Sequence, residues 1–131
     1  MLWIIDGNNV YGSRPDGWWN DRDAAASRFT QRVAEWCRTH GDHVTVVFDA
    51  PMADAVACLA GGNLDVVEAH RRGRNGADDE IVDLIGSLDA GGDDGTASDL
   101  TVVTSDRGLR ARLPADATVL GVGRFRALVG Y

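Results

Sequence analysis

Three apolar runs in this chain end on the same kind of residue. LWII (2–5) runs into Asp6, HVTVVF (43–48) into Asp49, and LTVVT (100–104) through Ser105 into Asp106. An apolar run without polar alternation buries both of its faces, as a strand inside a parallel sheet does. So short a run also fits a piece of core helix. The turn residues after the first run and the β-branched content of the second favour strands. This feature confines the chain to layered α/β architectures.

The segments between the runs supply the helices. Ala25, Phe29, Val33 and Trp36 recur at helical spacing, with Asn20 as N-cap, Asp23 three positions on, and Gly41 as stop. ADAVACLAGG after the second run is ambiguous between a short helix and irregular structure. LDVVEA (64–69) predicts a third strand, and a helix follows from about residue 78 to 88, with Ile81, Leu84, Ile85 and Leu88 on one face. GSRPDGWW and GGDDGTAS are loops by composition. A short helix follows Asp106, residues 118–122 predict a fifth strand, and GRFRALV closes with one or two helical turns. Strands alternating with helices give a doubly wound parallel sheet in one domain over 1–131, with no internal repeat.

Composition narrows the function classes. With 131 residues and 44% hydrophobic content, one ordinary core is expected. No apolar run approaches the ~20 residues of a membrane helix, and the N-terminus lacks the pattern of a signal peptide, so a cytoplasmic protein is expected. Cys37 and Cys58 sit among apolar neighbours, which suits reduced core thiols better than a disulfide. The net charge of −7 excludes a general nucleic-acid-coating protein but leaves room for a local site. All 13 basic residues are arginine. Chemistry that needs a lysine is therefore excluded, which removes response-regulator receivers and P-loop NTPases. A phosphatase of the haloacid dehalogenase type wants a second aspartate where Asn8 stands.

The stretch Asp6-Gly-Asn-Asn has two readings. It is either a tight turn or a polar site at the end of a central strand. Asp49, Asp106 and the acidic group Asp78-Asp79-Glu80 bear on that choice, because ligands of open parallel sheets bind at the carboxyl ends of the strands. Carboxylates gathered there repel one another unless a cation or a proton intervenes. A hard divalent ion, Mg2+ or Mn2+, suits such oxygen donors and activates water for phosphoryl chemistry. Asn9 is a neutral donor that would orient a metal-bound water or the scissile phosphate. Each acid also has a plainer reading: Asp78 and Asp79 at the positive end of a helix dipole, Asp106 as an N-cap, and Asp49 as a turn residue, which is the reading preferred for Asp49.

At these residues the chain resembles a known family. Asp6-Gly-Asn-Asn-Val, Val-Val-Phe-Asp-Ala, Gly-Ala-Asp-Asp-Glu-Ile and Val-Thr-Ser-Asp, in that order within residues 2–129, are similar to the NYN domains of the PIN-like nuclease superfamily, especially the YacP-like bacterial ribonucleases. The resemblance implies a three-layer PIN-like α/β fold with a central, mainly parallel five-stranded sheet, and metal-dependent hydrolysis of RNA phosphodiesters. Carried over by position, Asp6, Asp78 and Asp106 would bind the metal, Asn9 would be the motif asparagine, and Asp79 an auxiliary acid. The chain departs from the pattern at Arg110, where some NYN nucleases carry another acid, and at Val82, where YacP-like proteins tend to have Glu.

Bare carboxylates repel phosphate, so RNA needs a basic surface nearby. Arg71, Arg72 and Arg74 precede Asp78, while Arg107, Arg110 and Arg112 follow Asp106. Arginine grips phosphate through two bonds at once. A solvated loop paired with surface acids is the plainer reading. Trp18 and Trp19 either stack on unpaired bases or, as is preferred, pack over the start of the first long helix. Cys37, His40 and His43 have zinc-like ingredients but cross a helix end and a strand start. Two functions remain: a ribonuclease acting on single-stranded or ribosome-associated RNA, and a PIN-like domain that binds RNA or a protein without cleaving.

Overall fold

The computed structural model describes residues 1–14, 17–70, 76–90 and 100–131, with the side chains of 88–90 outside that description. Arg71, Arg72 and Arg74 therefore lie outside the described residues, as does the loop GGDDGTAS. The elements run β1 (Leu2–Asp6), α1 (Gly7–Gly12), a 3-10 turn (Trp18–Asn20), α2 (Arg22–Cys37), β2 (His43–Phe48), α3 (Asp54–Ala57), β3 (Leu64–Glu68), α4 (Gly76–Ala90), β4 (Leu100–Val103), α5 (Arg107–Arg110), β5 (Thr118–Leu120) and α6 (Val122–Val129).

The strands form one five-stranded sheet in the order β3-β2-β1-β4-β5, every pair parallel. The apolar runs are explained by what covers them. Ile5, Val46 and Val103 face a core shared with Phe29 and Val33 of α2 and Phe125 of α6. Their neighbours Ile4, Val47 and Val102 face a second core with Ile81 and Ile85 of α4 and Leu109 of α5. Successive strand residues point to opposite faces, so a sheet covered on both sides needs apolar residues at every position. The result is a helix–sheet–helix sandwich. The first face carries an aromatic cluster in which Phe125 meets Trp36 edge-on at 5.5 Å and Trp3 at 6.2 Å.

Several expectations are corrected. The stretch after Asp6 is neither a turn nor a loop: the chain enters α1 at Gly7 without a linker. The cap of α2 is Asp21, whose Oδ1 accepts from the Ala24 amide at 3.0 Å, and not Asn20, which ends the 3-10 turn. That helix stops at Cys37, short of Gly41. The fifth strand is only Thr118–Leu120, because Gly121 already precedes α6. Cys37 is buried as expected, whereas Cys58 is exposed; both are free thiols. Among the described residues no helix is long and apolar enough to cross a membrane.

The order of the strands sets the position of the site. The chain builds outward from β1 through β2 to β3, then crosses back by way of α4 to place β4 on the other side of β1. The reversal falls between β1 and β4, at the carboxyl end of the sheet, where α1 and α4 also begin.

Candidate active site

At that reversal lies an open pocket of about 190 Å3 lined by Asp6, Asn8, Asn9, Asp49, Ala77, Asp78 and Asp106. Four carboxylates from four different segments therefore share one depression. Asp6 is the last residue of β1, Asp49 follows β2, Asp78 lies in the first turn of α4, and Asp106 precedes α5.

The two asparagines explain why the sequence spends so many polar residues here. The Asn8 Oδ1 accepts from the Asp49 amide at 2.7 Å, and the Asn9 Oδ1 accepts from the Ser105 amide at 2.8 Å. A backbone amide can only donate, so both carboxamide oxygens are assigned by their partners. One side chain ties β1 to the end of β2 and the other ties it to the end of β4. With its oxygen engaged, Asn9 has its amide hydrogens to offer, which suits a phosphate oxygen better than a metal ion. Gly7 lets the turn into α1 press on β2, since a Cβ there would lie 2.5 Å from the Phe48 ring.

The carboxylates are placed by equally specific contacts. Thr104 is fully buried; its hydroxyl donates to Asp6 Oδ2 at 3.1 Å and accepts from the Asp106 amide at 3.1 Å. The Asp106 Oδ1 accepts from the Leu109 amide at 3.0 Å, so this residue caps α5 and lines the pocket at once. The Asp49 Oδ1 accepts from the Ala77 amide at 2.8 Å, capping α4 from another strand. The Ser105 hydroxyl oxygen accepts from the Val122 amide at 3.1 Å and does the same for α6.

Crowding these charges has an electrostatic cost. Burial, reinforced by Asp78 and Asp49, pushes the Asp6 carboxyl up to about 7, against the opposing influence of the Thr104 hydroxyl and the Asn9 amide. Burial also raises Asp78, together with the charges of Asp106 and Asp49, while Arg112 works the other way.

Asp79 and Glu80 do not join the cluster. Asp79 takes the Arg112 guanidinium at 2.9 Å. Glu80 is turned inward, where its Oε1 accepts from the His70 backbone amide at 2.9 Å and also meets the His70 ring. Arg107 is exposed in the first turn of α5, one residue from Asp106. Trp18 packs edge-on against Tyr11 at 5.8 Å, leaving Trp19 59% exposed. Cys37 is buried in the core, and His43 pairs with Asp65 at 3.0 Å, so the zinc-like triplet is dispersed.

Sequence reasoning gave Asn8 and Thr104 no part in the site and, having weighed Asp49 for it, preferred a turn residue there. The signal for Asp49 was present, since it follows its strand as Asp6 follows β1. That of Thr104 was not, because only the fold turns its hydroxyl toward Asp6.

The donor set is all oxygen, carboxylate with no thiolate or imidazole, which is the chemistry of Mg2+ or Mn2+ rather than zinc. Burial first, and then neighbouring carboxylates, hold two of its acids, Asp6 and Asp78, above their ordinary range. Among the described residues no three His, Cys, Asp or Glu side chains stand close enough to enclose an ion together. The set therefore fits a hard cation held by one or two carboxylates with water completing its shell, which is the usual habit of Mg2+.

An all-parallel α/β sandwich with acids at the switch point defines the architecture, and its fold is that of YacP. The structure is similar to that of Rae1 (YacP) from Bacillus subtilis, with a TM-score of 0.73 and 22% identity over 99% of this chain and 74% of that one. A tryptophan-to-leucine mutant of the same protein gives a TM-score of 0.73 and 23% identity over 98% of this chain and 74% of that one. No protein-family model matches the sequence, and no curated protein is similar to it at a significant level.

Proposed function

We propose that this protein is a divalent-metal-dependent ribonuclease that hydrolyses phosphodiester bonds of single-stranded or ribosome-associated RNA. The observation that carries the reading is the meeting of Asp6, Asp49, Asp78 and Asp106 in one open pocket at the sheet's switch point. The shared YacP fold supports it.

In this reading Asp6, Asp78 and Asp106 form the metal site, one or two of them binding Mg2+ or Mn2+ directly and the others through its water shell, and Asn9 donates from its amide to a phosphate oxygen. A bound cation supplies an activated water and neutralises charge on the leaving oxygen. Thr104 and Asp49 keep the acids in place through their hydrogen bonds. Asp79, tied to Arg112, acts at one remove from the reaction. Arg107, with Arg71, Arg72 and Arg74, gives the strand a cationic bank against which the acids do not repel it.

The test is incubation of labelled RNA with the protein in Mn2+ or in EDTA. Cleavage is expected only with the metal, and Asp6→Asn or Asp106→Asn is expected to lower the rate about 100-fold or more with the fold intact. Loss of stability with unchanged activity in either variant would sink the reading.

A second reading is a catalytically weak or inactive domain that binds RNA or a protein partner. It is favoured by the spacing of the acids, no three of which, among the described residues, converge on one point. Under it, neither Mn2+ nor Asp6→Asn changes the RNA.

A further inference from the structure

Beside the acid pocket is a second, more enclosed cleft of about 220 Å3, and the two share Asn8 and Asp49 as walls. A chain that lies across the acids and continues over Asn8 and Asp49 reaches the mouth of this cleft. Its interior is apolar, formed by Phe48, Met52 and Val56 with the buried Tyr11. Its rim is polar: the exposed Arg22 and Asp23 at the start of α2 both line it, with the Arg22 guanidinium over the Trp18 ring at 5.5 Å. The loop wall is tied down, because the Met52 amide donates to Glu68 Oε2 at 2.6 Å. The Asn8 Nδ2 donates to the Tyr11 hydroxyl at 2.9 Å, which fixes the partition between the two depressions.

The occupant can be argued from these walls. A phosphate is unsuited, since it would face two carboxylates and an apolar floor. A ribose has no flat apolar face to present. A nucleobase has both a face for apolar and aromatic contact and an edge of donors and acceptors for Arg22 and Asp23. The volume, about 220 Å3, is sufficient for one base.

We propose that this cleft is a base-recognition subsite, taking a single unstacked nucleobase from the nucleotide next to the phosphodiester held at the acids. The proposal rests on the ribonuclease reading for what lies at the acid pocket. Its geometry favours single-stranded RNA, because a base paired in a duplex must first be unpaired and unstacked, at a cost in free energy, to enter. Ala53, on the cleft wall, offers a place to close it without touching any acid.

The experiment compares binding of two labelled strands in EDTA by fluorescence anisotropy: a single-stranded RNA and a fully abasic strand of the same length and charge. Wild type is expected to prefer the base-bearing strand by about 10-fold. Ala53→Phe, which fills the cleft, is expected to remove most of that preference while binding the abasic strand as wild type does, an internal control for folding. Should Ala53→Phe fail to fold, Met52→Trp, which fills the cleft from the neighbouring wall residue, carries the same comparison. Equal affinity of wild type for both strands, or an undiminished preference in the filled variant, overturns the subsite. Cleavage by wild type in Mn2+ is measured separately; its absence overturns the ribonuclease reading, while the base preference is decided in EDTA.

Discussion

The starts of α2 and α4 solve one problem in two ways. Each helix leaves backbone amides without partners in its first turn. The first turn of α2 is served by its own neighbour, Asp21, three residues before Ala24. That of α4 is served by Asp49, which reaches Ala77 across 28 positions of sequence, and α6 is served by Ser105 across 17. Local capping stabilises one helix, whereas capping at a distance also fixes a helix relative to a strand. The acid pocket sits where the distant kind is concentrated. Its geometry is therefore a property of the assembled sheet, and loosening one cap displaces a carboxylate as well as a helix.

The largest expected effect comes from the strain that this assembly imposes on Asp6. Its folded carboxyl binds a proton up to about 7, against an ordinary value of 3.8. Between those values the folded state holds more protons than the unfolded one, so this group's contribution to stability falls as pH rises through the window. Asp6→Asn removes the dependence. In EDTA, the stability of the variant relative to wild type should increase by about 3 kcal/mol between pH 5 and pH 8, read by urea unfolding. A constant difference across that range would mean that the acids do not crowd as described.

Next in size is the distant cap. Asp49→Asn and Asp49→Ala both relieve repulsion, but only the asparagine keeps an acceptor for the Ala77 amide. The asparagine variant should be more stable than the alanine variant by about 1–2 kcal/mol, and should retain more metal-dependent cleavage. Equal stabilities would show that α4 does not depend on β2 for its start.

The smallest effect is the local cap. Asp21→Ala should cost about 1 kcal/mol and leave cleavage unaltered. A loss of cleavage there would erase the distinction between the two helix starts.

The same distinction explains what was legible in the sequence. The second strand is found where it was expected, at 43–48, because β-branched runs report burial directly. The helices α2 and α4 were visible through residues three and four apart, such as Phe29 with Val33 and Ile81 with Ile85. The first helix was not, since Gly and Asn are poor helix formers and α1 exists because Asn8 and Asn9 are held by β2 and β4. Asp49 was taken for a turn residue for the same reason: its partner at Ala77 is remote in sequence. Asp6, Asp78 and Asp106 were anticipated as neighbours from their places at strand ends and at the start of a helix, and from the family resemblance; hydrogen bonding to Thr104 then refines the arrangement. Asp79 was expected as an auxiliary acid from the family resemblance; one step along a helix turns a side chain by about 100°, and its carboxylate meets Arg112.

The two thiols differ as sharply as the two caps. Cys37 is buried and its ionisation is pushed up to about 11, whereas Cys58 is exposed just past α3, the short helix that supplies Val56 to the cleft. A maleimide dye therefore has one accessible point of attachment on the native protein, on the flank of the base-sized cavity. A fluorophore coupled there turns occupancy of that cavity into an optical signal without altering a single residue.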